Sequence, residues 1–467
     1  MAVSIEASAR AGDVGIEPVP PSDRILNAKD LAILWGDLGI GLLVLVTGAL
    51  LVPGLGFTTA LVAIVVGSFI GVGLLAAAGF AGARFRVPTM VLLRPVLGVK
   101  GSWIPSALNA GQLIGWTAVE LWAMSFVADF VMERSFGVSA RWAWLAIAAI
   151  VCTALALWGP IGVTRVWLER FGAWMIFAIS LIVTVLVFTS GGLGDALTRP
   201  GVGGFPTFGV AVDLVIAMPI SWLPLVADYT RFADRPRSGF TGTFWGYLVA
   251  NIWLYALGAL LVLGPGAEPS PAAIAGGILA VAGGSIAGVL FLVGLLVGET
   301  DEAFANIYSG AVSLQNIFPK APRRVLSLGV AAVGTILAGW LTMERYEVFL
   351  FLIGSVFVPL FGVMAAHYLS AGRDGGERGI AEADRRTPGV RFAALLPWVA
   401  GFFVYHWIVP TGPAWWVDAV RDFVGTPLSE RFGWLGASIP SFLVAFLLAL
   451  AAFGLGARAR PTSIDAT

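Results

Sequence analysis

One cysteine, Cys152, and two histidines, His367 and His406, are spread over 467 residues. A single thiol excludes a disulfide within the chain and a cysteine-based metal centre, and two separated imidazoles argue against a histidine metal centre. Charge is scarce, at 12% of residues, where an ordinary soluble domain carries about 25%. No GxxxxGK[ST] loop cradles a nucleotide and no HExxH pair holds zinc, which argues against ATP-driven transport and against a membrane metalloenzyme. Met1 to Ser22 lacks the basic-then-apolar order of a secretory signal and reads as a short disordered tail. The longest charged stretch, Ser370 to Arg391, is too small to fold as a catalytic domain. What fills the chain instead is apolar: 58% hydrophobic residues and a mean hydropathy of +0.89. The chain reads as an all-α integral membrane protein whose large partner is the lipid bilayer, with no nucleic acid and no cofactor implied.

A bilayer is crossed by about 20 apolar residues. Such runs recur about twelve times, over 31–52, 57–82, 103–131, 142–159, 168–190, 207–227, 240–264, 285–315, 322–340, 346–369, 392–410 and 437–457. With the N-terminus inside, 22 of the 28 Lys and Arg fall in inside segments and 6 in outside ones (Arg134, Arg141, Arg199, Arg345, Arg421 and Arg431). The positive-inside rule therefore supports an even number of spans with both ends cytoplasmic in the inner membrane. Arg165 and Arg170 count among the inside cations. Ser270 to Gly284 is too short for a span of its own and reads as a re-entrant or interfacial helix.

Helix breakers are placed unevenly. Gly36, Gly39 and Gly41 surround Asp37 in the first span, and Pro219 and Pro224 interrupt the sixth. In a ten-span core these are corresponding members of two five-span halves, the pattern that points to a transporter's binding site. The bland alternative is close packing at glycine and a kink at proline.

Polar residues inside the membrane concentrate in two spans. In the third, Gln112, Trp116 and Glu120 stand at i, i+4, i+8 and share a face. An amide, an indole and a carboxylate suit the wall of a site for a flat polar ring; otherwise they are interhelical glue. In the eighth, Glu299, Glu302, Asn306 and Ser309 form one face, turned to a substrate cavity through Asn306 and Glu302. Thr300 and Asp301 point elsewhere, towards the broken first span, and oxygen ligands of that kind suit Na+, or a proton in its place. A cluster lying nearer the interface would simply be hydrated. Asp37 contacts the same site or caps a half-helix. Asp228 and Arg231, at i, i+3, read as an ion pair or gate hinge, and His367 and His406 as bonded structural residues. Trp142, Trp144, Trp415 and Trp416 read as an interfacial belt; Trp116 and Trp222 lie mid-span.

Five stretches taken in order carry a resemblance: LAILWGDLGIG, VPTMVLLRPVLGVKGSW, QLIGWTAVE, ADYTRF and AFANIYSGAVSLQN. Over about residues 25 to 455 the chain resembles the nucleobase:cation symporter-1 family, that of cytosine, purine and allantoin permeases and the hydantoin transporter. Within it, the branch of cytosine or hydroxymethylpyrimidine permeases is the most similar. The resemblance implies a leucine-transporter-type fold of two inverted five-span repeats plus two peripheral spans. On this sequence that gives a disordered cytoplasmic tail at 1–27, repeats at 28–190 and 205–370, a cytoplasmic linker at 371–391, peripheral spans at 392–457 and a cytoplasmic tail at 458–467. It implies a ring stacked on Trp116 and read by Asn306, with Glu120 at a position often held by an amide. It implies a cation held by carbonyls of the broken first span, near Gly36 and Gly39, and by Thr300 and Asp301. An acid at the second of these positions departs from the family, which places a hydroxyl there. In span six the stacking position falls near Met218 or Pro219, with Ser221 and Trp222 beside it.

The expectation is import of a small heterocycle, cytosine or hydroxymethylpyrimidine first, by symport with Na+ or H+. Gln112, Glu120 and Asn306 would read its polar edge, a carboxylate such as Glu120 suiting an aminopyrimidine. Purine, allantoin or hydantoin symport is the alternative within the fold. A passive channel or facilitator, which cannot accumulate its solute, is the rival from another class, and a membrane enzyme using Glu299, Asp301 and Glu302 is the third. Oligomeric state is left open by the sequence.

Overall fold

The computed structural model describes residues 15–159, 171–189, 193–263, 271–283, 286–341, 346–386 and 389–458. Arg165, Arg170, Arg345 and the outer parts of both tails lie outside the described residues. The first span is two helices, α1 (Ala28–Asp37) and α2 (Leu42–Ala49), bent by 60° across four residues. Then follow α3 (Phe57–Phe85), α4 (Trp103–Phe136), α5 (Arg141–Trp158), α6 (Ala173–Thr189) and α7 (Phe208–Trp222). The sixth span continues through a 3-10 turn at Leu223–Leu225 into α8 (Val226–Thr230). After it come α9 (Pro236–Leu263), α10 (Pro271–Val281), α11 (Ile286–Ile317), α12 (Arg323–Trp340) and α13 (Tyr346–Arg386). The last elements are α14 (Phe392–Ile408), α15 (Ala414–Val424) and α16 (Ser438–Arg458).

Six of these stretches are long and apolar enough to cross a bilayer alone, and seven with the bent pair counted as one. Helices α6 and α14 and the Ser438–Gly454 part of α16 are shorter but apolar, and α11 and α12 complete the twelve. The polar α11 is tolerable because its acids are buried in protein rather than turned to lipid.

The helices sort into two groups. In one, α9 packs along α3 and along both halves of the first span, and α7 packs on α3. In the other, α4 and α5 pack on each other and on α11 and α12. Small residues set the closeness of the first group. A Cβ at Gly48 of α2 would strike the Tyr255 carbonyl of α9, and one at Gly258 of α9 would strike the Leu45 carbonyl. Without a hydrophobic drive between helices in lipid, such close backbone approach supplies the packing energy.

Helix α13 leans on α7, α14 and α16. Asp213 of α7 ties the core to the last span: its carboxylate accepts the Ala437 amide (2.5 Å) and the Ser438 amide (2.9 Å) at the start of α16. These are amides that a helix leaves unpaired at its N-terminus. Asp213→Ala is expected to orphan both, at about 1–3 kcal/mol for each buried group, and so to lower the melting temperature in detergent by several degrees. A melt unchanged from wild type would count against this tie.

Three expectations are corrected. Residues 15–27 are packed, not disordered. Val19 and Leu26 are fully buried, and the Val19 amide donates to the Arg86 carbonyl (3.0 Å). Leu26 pairs edgewise with Phe232 and Asp234, and the buried Arg231 donates to the Gly15 carbonyl. A buried guanidinium needs acceptors, and this segment supplies one. Second, Ser370 to Arg391 is not all linker, since α13 runs on to Arg386. Ala, Glu and Arg are strong helix formers, and the stretch is rich in them. Third, Arg231 meets the Asp228 backbone carbonyl (3.2 Å) rather than its carboxylate, which accepts the Thr89 amide (3.3 Å). Thr89 accepts the Ala227 amide in return (3.1 Å), fastening α8 to the segment after α3. His406 accepts the Trp416 indole N–H at Nδ1 (3.0 Å), and His367 lies edge-on to Tyr368 and Phe453.

Candidate functional site

The seam between the two helix groups runs past α4, α7 and α11. Helical spacing puts Asn109, Gln112, Trp116 and Glu120 on the face of α4 that meets this seam, and all four are buried. Asn109 donates to Ser313 Oγ of α11 (2.7 Å). Gln112 donates to Asn109 Oδ1 (2.8 Å) and to the Ser221 carbonyl of α7 (3.0 Å). Gln112 is therefore a tie between the groups, and its amide nitrogen is spent.

One turn further on, Trp116 and Glu120 line a small cavity with Met218, Ser221 and Trp222 of α7 and Glu302 and Asn306 of α11. About 10 Å³ is left there for a water-sized sphere, room for about one water. The cavity is contracted. Trp116 Nε1 is buried without a hydrogen-bond partner, and the carboxyl oxygens of Glu120 and Glu302 find partners only within the acid cluster that they form with Glu299. Buried polar atoms are nearly always satisfied, so an orphan indole N–H beside acids that have only one another marks the cavity as a place for a polar guest. The walls are aromatic. Trp116 is held edge-on by Tyr346 (6.1 Å, 79°) and Phe349 (5.2 Å, 61°) of α13, and Trp222 by Trp35 of α1 (6.2 Å, 83°).

The break in the first span reaches the same cluster. Glu299 Oε1 accepts the Leu42 amide (2.6 Å), the first N–H of α2. That end of a helix carries partial positive charge and unpaired donors, so a carboxylate is well placed there. Glu120, Glu299 and Glu302 bring one oxygen each to within 4.8 Å of one another, the one such group among the described residues. Gly41 makes room for them, since a Cβ there would overlap Glu302 Oε1 and sit 3.3 Å from Glu299 Oε1.

The structure thus gathers Trp116, Glu120, Asn306, Ser221, Trp222 and Glu302, and leaves Gln112 just outside. Asp37 and Gly36 line a different cavity between α1, α6 and α9. Asp37 adjoins Asp301 of α11. Thr300 Oγ donates to the Val297 carbonyl of its own helix (2.6 Å), with its lone pairs left for another group. Gly39 faces Ala250 of α9. An acid pair and a hydroxyl beside an interrupted helix fit a small cation or a proton alike.

Sequence reasoning passed over Glu299 as a site residue and missed Tyr346, whose hydroxyl lies 3.4 Å from Thr47 Oγ1 of α2 and donates to Met218 Sδ of α7 (3.6 Å). Glu299 shares a face with Glu302 and was legible as such. Tyr346 opens its helix, where an aromatic reads as an interface residue.

A family model described as "Permease for cytosine/purines, uracil, thiamine, allantoin" matches residues 18–417. The chain is similar to the cytosine permease of Escherichia coli (strain K12), 26% identical over 376 residues, spanning 78% of this chain and 81% of that one. It is also similar to the allantoin permease of Bacillus subtilis (strain 168), 25% identical over 391 residues, spanning 78% and 80%. Among solved structures it matches Mhp1, described as a nucleobase-cation-symport-1 family transporter in a closed conformation with bromovinylhydantoin bound. The TM-score is 0.77 at 21% identity, over 96% of each chain. At that identity the likeness fixes the fold: a leucine-transporter-type core of inverted five-span repeats with two peripheral spans.

Proposed function

The chain belongs to the family of permeases for cytosine and purines, uracil, thiamine and allantoin, and on that premise we propose that it imports a single-ring nucleobase-like heterocycle by symport with Na+ or H+. It is a transporter and not an enzyme. Cytosine or hydroxymethylpyrimidine is the favoured cargo. The observation that carries this reading is the cavity where Trp116 offers a flat face and an unpartnered N–H beside the buried acids Glu120 and Glu302. Trp116 stacks the ring; Glu120 and Asn306 read its edge; Ser221, Trp222 and Glu302 close the other sides, with Gln112 fixing the distance from α4 to α7.

Carbonyls near Gly36 and Gly39, with Thr300 and Asp301, are the groups to hold the coupling ion, and Asp37 lies beside Asp301. An ion there ties the bent first span to α11, so ring and ion each tighten the other's binding by the same factor. Alternating access is rocking of one helix group against the other about the cavity. The charge asymmetry of the loops supports cytoplasmic ends in the inner membrane.

The test is quenching of intrinsic tryptophan fluorescence by cytosine, hydroxymethylpyrimidine, uracil, adenine, hypoxanthine, allantoin and a hydantoin, with and without Na+ at two pH values. Saturable quenching by one ring, tightened by Na+ or by acid, is expected. Accumulation of that ring in proteoliposomes against its gradient separates a symporter from a facilitator. No quenching by any ring would remove the reading.

A further inference from the structure

Helix α15 spaces its apolar residues as an amphipathic helix does. Trp416, Ala419, Val420, Phe423 and Val424 fall at i, i+3, i+4, i+7 and i+8. This stripe is turned to α14, yet none of the 11 residues of α15 is buried, and Phe423 is 91% exposed. Between the two helices lies a cavity of about 600 Å³, walled on the α14 side by Phe403, Val404, His406 and Trp407. Ligand pockets typically enclose about 300–1,000 Å³. The Trp416–His406 bond pins the first turn of α15 across it. The cavity continues the lipid-facing line of α14. Leu396, Val399, Phe403 and Trp407 are exposed at i, i+3, i+7 and i+11, and the last two of them line the cavity. Beside the apolar stripe, Asp418 and Asp422 are exposed at i, i+4, a spacing at which like charges repel. Arg421, the one cation of this helix, is paired with Glu430 (2.5 Å).

We propose that this cavity seats one acyl chain of a phospholipid whose headgroup ends in an ammonium, with that ammonium against Asp418 and Asp422. The bilayer is the source of the chain, because the exposed line of α14 leads from it into the cavity. An amphipathic helix of this kind lies in the membrane interface, at the level of the headgroups. In the topology proposed above, α15 is on the outer face, so the lipid comes from the outer leaflet. A chain already in the bilayer gains little by moving onto apolar side chains. Selectivity therefore comes from the headgroup: an ammonium relieves the two carboxylates, and an anionic headgroup adds to their repulsion. The same helix turns Val417 and Arg421 to a second cavity, of about 700 Å³, which Thr207 of α7 and Glu347 and Phe351 of α13 also line. The lipid thus braces a helix that walls this second cavity.

The full-length protein, stripped of lipid in detergent, is titrated with phosphatidylethanolamine and with phosphatidylglycerol of the same chains, and read by native mass spectrometry. One phosphatidylethanolamine is expected to be retained at about a tenfold lower concentration than phosphatidylglycerol, as one or two headgroup charge contacts allow. Asp418→Asn combined with Asp422→Asn is expected to bring the two lipids within about twofold of each other, with ring quenching unchanged. Ala419→Trp, which fills the cavity from an exposed position, is expected to weaken retention of either lipid at least about tenfold. The charge variant serves if this one fails to fold. Equal retention of the two lipids by the wild-type protein, or several lipids taken up with no first tight one, would mean an annular shell alone and overturn the proposal. Undiminished retention by Ala419→Trp would do the same. A protein that keeps one phosphatidylethanolamine and binds no ring would retain this site and lose the transporter reading.

Discussion

Replacing Trp116 by alanine is expected to weaken ring binding about 10- to 100-fold, since stacking on an aromatic side chain contributes about 1–3 kcal/mol per base. The structure explains why this one of 18 tryptophans should dominate. Tyr346 and Phe349 hold it edge-on, so its face is fixed before a ring arrives and little order is lost on binding. Its N–H has no partner within the protein. Trp116→Phe keeps a face and loses the donor, and is expected to cost about tenfold or less. Because removing a buried indole also costs about 3–5 kcal/mol of stability, the alanine variant is compared at a temperature well below its melting point. Wild-type affinity in a folded Trp116→Ala protein would sink the stacking role.

A single methyl group at Gly41 is expected to reduce uptake at least about tenfold, an effect out of proportion to its size. The backbone there is extended, with φ −140°, which any residue can adopt. What the position requires is space. An added Cβ falls on Glu302 Oε1 and crowds Glu299 Oε1. Either the carboxylates retreat and the Leu42 amide loses its acceptor, or α2 shifts against α9. Overpacking of this kind typically costs about 1–3 kcal/mol, and here the strain lies where the broken span meets the cavity. Gly41→Ala is assayed as uptake per unit of reconstituted protein, beside Gly73→Ala of α3, where a Cβ meets nothing within 4 Å. The control is expected to transport normally. Comparable uptake by the two variants would show that the break tolerates a side chain.

The sequence by itself determined the membrane class, the twelve spans and the interrupted first one, because each depends on local composition; the sixth, expected to be interrupted as well, runs through from Phe208 to Thr230 with Pro219 inside its helix. A run of about 20 apolar residues crosses a bilayer wherever its neighbours lie, glycine weakens a helix wherever it stands, and Pro224 tightens its span to a 3-10 turn through its own backbone. It also determined that Trp116 and Glu120 share a face, since helical period alone decides that. Only the tertiary structure decided which faces meet. It sent Asp37 to a cavity away from Trp116, turned Gln112 into a tie to the Ser221 carbonyl, and set Glu299 on the Leu42 amide, 257 residues away in the chain. It drew Gly15 to Asn27 onto the bundle through the buried Arg231, and Asp213 onto the last span. The reason is common to all of these. Inside a membrane protein a buried polar side chain needs a partner, and where that partner stands on another helix no period within one helix specifies it.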